Sequence, residues 1–235
     1  MKFPDPLIKG TLLKRYKRFL ADIELEDGEV VVAHCANTGG MIGLKDPGLE
    51  VWLSPSRNPE RKLKYSWELA RIDGHLVGIH TGHPNGIVED AVSKHKIPEL
   101  TGYESRHREV KYGKNSRIDL LLENPEGERS KCYVEVKNVH LKRDDHTAEF
   151  PDAVTTRGAK HLEELGDMVG EGHRAVMFYL VQRGDCTQFK IAGDLDPGYE
   201  KALKRARSRG VEVLCYACVV TTTSITIGNP LSLAL

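Results

Sequence analysis

Lys131-Cys-Tyr-Val-Glu-Val-Lys-Asn-Val139 is the stretch on which the reading of this chain turns. Period-two alternation sends Tyr133, Glu135 and Lys137 to one face of a strand and Cys132, Val134 and Val136 to the other. A carboxylate and an ammonium inside an otherwise apolar run are unfavourable unless they are paired or used. The run before it, Ser116-Arg-Ile-Asp-Leu-Leu-Leu-Glu123, carries one acid, Asp119, into an apolar strand of its own. Asn124-Pro-Glu-Gly127 between them has turn chemistry, so the two strands are expected to pair antiparallel. Register then decides whether the acids meet. A tight turn between Pro125 and Glu126 pairs Asp119 with Cys132 and leaves the acids about 10 Å apart, at ~3.4 Å per residue. A longer loop centred on Gly127 brings Asp119 to Glu135.

In that second register Asp119, Glu135 and the Val136 carbonyl make a hard oxygen set suited to Mg²⁺ or Mn²⁺. Such an ion lowers the pKa of a bound water and stabilises charge on a scissile phosphate. Lys137 beside it would orient that water or neutralise the transition state. The competing reading is a salt bridge on a sheet edge, since an E-x-K triplet is a common pattern.

Outward from this hairpin the elements alternate. Val88, Ala91, Val92 and His95 are spaced for a short helix, and Glu109–Gly113 adds a strand before the hairpin. Leu162, Leu165 and Val169 mark a helical stripe, and Arg157, Lys160, His161 and Glu164 form the polar face opposite it. Asp152 or Thr155 is placed to cap that helix, whose basic N-terminal turn favours phosphate. A solvated helix face reads the same way. His173–Arg183 is an apolar strand, Asp196-Pro197 opens a helix that Gly210 ends, and Val211–Val220 is the last buried strand. The order gives an α/β layout in which a meander feeds a crossover.

The first 83 residues read as β. Phe19–Leu25 alternates, Glu26-Asp27-Gly28 turns, and Glu29–Cys35 returns as the second arm of a hairpin. Asn37-Thr38-Gly39-Gly40 is a turn, and short strands follow near residues 50–54, 67–73 and 76–82, which suggests a small barrel. His83-Pro84-Asn85-Gly86 marks the boundary, dividing the chain into 1–83 and 84–235. Lys14-Arg15-Tyr16-Lys17-Arg18-Phe19 places cations and rings in the first strand, as a single-strand-binding barrel does. A strand edge guarded by Lys gives the same pattern. His34, beside Asn37-Thr38-Gly39, reads as a core or turn histidine.

Composition sets the limits. Hydrophobic residues are 40% and charged residues 29%, which excludes a disordered chain. Lys+Arg and Asp+Glu are both 34, so net charge argues neither for nor against a polyanion, and local clusters carry that case. No run approaches ~18 uninterrupted apolar residues, and MKFPDPLIKG lacks a signal-peptide core, so a cytoplasmic protein without a membrane partner is expected. The five cysteines, Cys35, Cys132, Cys186, Cys215 and Cys218, lie mostly in strand-like runs and read as buried thiols. Cys215 and Cys218 have CxxC spacing, but on a strand residues three apart face opposite ways. There is no P-loop, HExxH or Gly-x-Ser-x-Gly, so no nucleotide cofactor, zincin or hydrolase chemistry is expected.

Several runs in order along nearly the whole chain resemble the sugar fermentation stimulation protein A family: Lys14–Asp22, His34–Gly39, Glu109–Gly113, Ser116–Asp119, Tyr133–Asn138, Phe150–Gly158 and Gly172–Val176. Ala36 stands where many members have Pro. The resemblance implies an N-terminal OB-fold barrel joined to a restriction-endonuclease-like α/β domain with a mixed sheet, of the PD-(D/E)XK type. It also implies DNA binding, either with a Mg²⁺-dependent phosphodiesterase site or as a non-enzymatic regulator of sugar (maltose) genes. The nuclease pattern carries over onto Asp119, onto Glu135 and Lys137, onto Lys160 of the basic helix, and onto Asp90, with Glu89 beside it, as the upstream acid. Lys14, Arg15, Tyr16, Lys17, Arg18 and Arg157 are the expected DNA contacts.

Overall fold

The computed structural model describes residues 1–124 and 130–235. The N-terminal strands are β1 (Ile8–Tyr16), β2 (Leu20–Leu25), β3 (Val30–His34), β4 (Glu50–Pro55), β5 (Tyr65–Ile72) and β6 (His75–Gly78). β3-β2-β1-β4-β5 run antiparallel in that order, and a short parallel pairing of β3 with β5 closes them into a five-stranded OB-like barrel. Alternation fills the interior with Leu12, Ala21, Ile23, Val31, Ala33, Leu53 and Trp67, all buried. Gly10 lets β1 cross β2 closely, because a Cβ there would sit 2.7 Å from the Glu24 carbonyl oxygen.

The basic run does not lie within one strand. Lys14, Arg15 and Tyr16 end β1, while Lys17, Arg18 and Phe19 form the three-residue turn into β2, with Lys17 and Arg18 at φ 48° and 66°. Two successive positive φ values match the twist of flanking strands in a tight hairpin, so the turn overrides the continuous alternation.

The second part contains α1 (Pro84–Ser93), a 3₁₀ turn at Pro98–Leu100, β7 (Ser105–Tyr112), β8 (Ser116–Glu123), β9 (Cys132–Val139), β10 (Leu141–Lys142) and β11 (Thr147–Phe150). There follow α2 (Thr156–Gly170), β12 (Arg174–Val181), β13 (Gln188–Ile191), α3 (Pro197–Ser208), β14 (Glu212–Val220), β15 (Ile225–Pro230) and β16 (Ser232–Ala234). A mixed six-stranded sheet has the order β15-β14-β12-β9-β8-β7, with β9, β12 and β14 parallel and the outer pairs antiparallel. The short strands β10, β11, β13 and β16, not foreseen from alternation, form a second small sheet.

Side-chain alternation splits the core across the large sheet. α1 packs Ile87, Val88 and Val92 on one face, where Trp52 and Leu69 of the barrel join them. α2 and α3 bring Leu162, Leu165, Leu203 and Ala206 to the other. Cys215 falls in one core and Cys218 in the other, and all five cysteines are buried and free. Burial pushes the Cys218 thiol up to about 12 and the Cys215 thiol well above its usual range, so neither is a nucleophile.

Candidate functional site

β8 and β9 pair Leu120 with Val134, Leu121 with Tyr133 and Leu122 with Cys132. Continued by one residue, this register sets Asp119 opposite Glu135. It is the longer-loop alternative, although Pro125, Glu126 and Gly127 of the connecting turn lie outside the described residues.

Four elements then converge. Glu135 is 2% exposed. Its Oε1 accepts from Lys137 Nζ at 2.7 Å and from His161 Nδ1 of α2, while Oε2 is buried with no hydrogen-bond partner among the described residues. Asp119 Oδ1 accepts from Asn85 Nδ2, at the start of α1, at 2.8 Å. Its Oδ2 accepts from the Val136 N–H, also at 2.8 Å. Arg157 Nε donates to His161 Nε2 at 3.3 Å, which leaves the imidazole proton on Nδ1, aimed at Glu135. Thr155 caps α2, its hydroxyl accepting from the Gly158 N–H at 3.1 Å.

Beneath these groups lie Tyr112 and Glu164. The Tyr112 hydroxyl and both Glu164 carboxylate oxygens are buried without a hydrogen bond among the described residues. Lys160 Nζ approaches Glu164 Oε1 only to 3.5 Å, from an exposed position where it also donates to Ser116 Oγ at 3.3 Å. Burial, then the charges of Glu135, Glu164 and Asp119, hold the Tyr112 hydroxyl protonated.

The two central acids are driven apart. Burial and then the charge of Glu135 push Asp119 up to about 6, against the pull of the Val136 N–H, Lys137 and Asn85. Burial would raise Glu135 too, but the His161 hydrogen bond and the Lys137 charge outweigh it and hold its carboxyl below the usual range. Carboxylates separated in this way are a mark of catalytic and metal sites.

Not every expected residue arrives. Asp90 ion-pairs with Lys94 at 2.7 Å, one turn along its own helix. Helical geometry explains this: at about 100° per residue, Asp90 lies some 140° around α1 from Asn85, which faces the site. Glu89 shares the Asn85 face but turns to Arg108, at 3.6 Å. Lys160 stands at the rim, one residue from the buried His161 that touches Glu135. His161, Glu164, Tyr112 and Asn85 had no assigned role in the sequence. The i, i+3, i+4, i+7 stripe of α2 was the one visible signal of His161 and Glu164, and Tyr112 and Asn85 had none.

In the barrel, Arg15 is committed internally. Its Nη2 donates to the carbonyls of Arg18 and Asn37 at 2.8 Å and of Gly39 at 3.2 Å. It thereby holds the Asn37–Gly39 loop, and the next residues of that loop dock on the second part of the chain, where the Met41 N–H donates to Asp152 Oδ2 at 2.9 Å. Tyr16 donates its hydroxyl to Asp22 at 2.9 Å. Lys14, Lys17 and Arg18 remain exposed, the first with its ammonium 5.3 Å over the Tyr16 ring. His34 ends β3, where burial lowers its basicity.

Comparison with known proteins follows this division of the chain. The model of the sugar fermentation stimulation protein RE domain matches residues 82–224, and that of the SfsA N-terminal OB domain matches residues 13–79. Sugar fermentation stimulation protein homologs of Paramagnetospirillum magneticum and Maricaulis maris are 60% and 57% identical over 235 residues, covering all of this chain and 98% and 99% of theirs. The solved structure of Pyrococcus furiosus SfsA in complex with Ca²⁺ matches all of both chains with a TM-score of 0.88 at 26% identity.

Proposed function

The chain belongs to the sugar fermentation stimulation protein family, and from that premise we propose that it binds DNA and carries a divalent-metal phosphodiesterase centre at Asp119, Glu135 and Lys137. In this reading residues 1–83 track the nucleic acid and residues 84–235 hold the reactive centre.

One observation carries the proposal: a buried acid, Glu135, keeps one oxygen without a partner among the described residues, beside a half-buried second acid, Asp119, which burial and then the charge of Glu135 push up to about 6. A buried carboxylate with an orphaned oxygen, opposite a half-buried second carboxylate on the neighbouring strand, fits a hard divalent cation. Asp119, Glu135 Oε2 and the Val136 carbonyl, which strand geometry turns to the same side as its N–H, are the oxygens that would hold it. The archaeal relative is described in complex with Ca²⁺, an ion of that class. Mg²⁺ or Mn²⁺ is the proposed occupant, and when bound it would supply a water of lowered pKa and charge neutralisation at the phosphate.

The remaining steps belong to protein groups. Asn85 and the Val136 N–H fix Asp119, and His161, oriented by Arg157, fixes Glu135. Lys137, 15% exposed, puts its ammonium where negative charge builds on a transferred phosphoryl group. Arg157, exposed at the first turn of α2, and the rim Lys160 would receive flanking phosphates. A panel of labelled single-stranded, duplex, flapped and branched DNAs with Mn²⁺, scored for both binding and nicking, tests the reading. Nicking that disappears in Glu135→Gln while binding persists is the expected result. DNA binding by the wild type with no nicking on any substrate would support a regulator without turnover. Absence of both defeats the proposal.

A further inference from the structure

A second cluster lies at the junction of the barrel and α1, outside the carboxylate site. Glu68 on β5 is 4% exposed, and its partners are the Ser54 hydroxyl at 2.7 Å and His83 Nε2 at 2.7 Å. His80, in the loop after β6, stacks on His83 with ring centroids 4.1 Å apart. One nitrogen from each imidazole and one Glu68 oxygen all lie within 4.8 Å of one another. Neither hydrogen-bond partner of the buried carboxylate carries a permanent charge, and both histidines are only partly buried, which leaves a way in for an ion.

We propose that Glu68, His80 and His83 form a binding site for a transition-metal ion of the zinc type, distinct from the oxygen site at Asp119 and Glu135. Donor chemistry selects the metal. Two imidazoles and one carboxylate suit Zn²⁺ and its neighbours, whereas an all-oxygen set suits Mg²⁺. Geometry permits it: tetrahedral ligands about 2.0 Å from Zn²⁺ stand roughly 3.3 Å apart, so the Glu68–His83 contact has to open by about half an ångström. If His80 binds through Nδ1, the ion displaces one neutral hydrogen bond, donated by the Gly82 N–H at 3.1 Å. Three protein ligands leave a fourth position for water. The ion would tie β5 and the loop after β6 to the residue that precedes α1, two positions before Asn85, whose amide holds Asp119.

The test is calorimetric titration of Zn²⁺ into the full chain, stripped with chelator, in buffer holding excess Mg²⁺. One Zn²⁺ per chain is expected, weakened at least about tenfold by His80→Asn and by His83→Gln and unchanged by Asp119→Asn. Co²⁺ in place of Zn²⁺ should give visible absorption bands in the wild type that His80→Asn lacks. Circular dichroism of each variant in chelator shows that it is folded, and the two single variants guard against either one failing to fold. No Zn²⁺ uptake by the wild type, or uptake undiminished in both histidine variants, overturns the proposal. So does uptake lost only in Asp119→Asn, which would place the ion at the carboxylates. Because the histidine variants leave Asp119, Glu135 and Lys137 in place, failure here is distinguishable from failure of the nuclease reading.

Discussion

The carboxylate site and the basic hairpin of the barrel were both conspicuous in the sequence, and folding treats them in opposite ways. At the sheet, Asp119, Glu135, Lys137 and His161 are drawn out of water and linked to one another, so each group's charge state depends on its neighbours. At the hairpin, Lys14, Lys17 and Arg18 stay in solvent and act singly, while Arg15 is used up holding a loop. Desolvation makes the difference. The same ion pair that is worth little at the surface is strongly coupled in a buried site. Substitutions at the sheet should therefore be large and non-additive, and those at the hairpin small and additive.

Glu135→Ala should have the largest effect. It removes an anchoring oxygen and strands Lys137 and His161, so Mn²⁺ binding measured by calorimetry is expected to vanish. Equal affinity in variant and wild type would remove the site from consideration.

Lys137→Ala comes next. Asp119 and Glu135 would still hold the ion, so DNA binding in Mg²⁺ is expected to stay near wild type. Nicking should slow by about 10²–10³, or ~3–4 kcal/mol, as when one transition-state electrostatic partner is removed. A variant that cuts as fast as wild type would move any nuclease activity to another site.

Arg15→Ala puts the hairpin to the test. If Arg15 acts inside the protein, its removal should lower stability in urea by about 1 kcal/mol, because the carbonyls it leaves are part-buried or exposed. The salt dependence of DNA binding should then hardly change. The reverse pattern, unaltered stability with a lower salt slope, would make Arg15 a phosphate contact after all.

The acidity of Asp119 predicts how metal binding responds to pH. An ion held by Asp119 would compete with a proton on a carboxyl raised to about 6. Mn²⁺ affinity should therefore rise up to about tenfold per unit as pH climbs toward 6 and level off above it. Affinity that is flat between pH 5 and 8 would show that Asp119 is not a ligand. The sign for stability is opposite: an apo site whose folded carboxyl lies above the unfolded 3.8 loses stability as pH rises from about 4 to 6.

Smallest is the effect of Lys14→Ala with Arg18→Ala. For each phosphate that is no longer neutralised, the slope of log affinity against log salt should fall by about 0.7–0.9, with little change in stability. An unchanged slope would mean that DNA, if bound, runs elsewhere.

The strand pair that places the acids was legible because alternation is a local property: Ser116–Glu123 and Cys132–Val139 show it plainly, and their register came down to two alternatives. Helix caps at Thr155 and Asp196 were legible for the same reason, since a cap is decided within three residues. The barrel's strand runs from β2 onward were also visible, though not that β1 is a separate strand from which Lys17 and Arg18 turn into β2. Tertiary structure alone decided which polar residues became buried partners. His161 and Glu164 sit on a helix face that sequence could equally assign to solvent, and only the packing of α2 over β9 and β12 desolvates them. Asn85 displaced Asp90 because the rotation of α1 is fixed by what Ile87, Val88 and Val92 bury, not by where its acids fall. Periodicity fixes which residues share a face. Burial, the sum of contacts from distant parts of the chain, decides what that face meets.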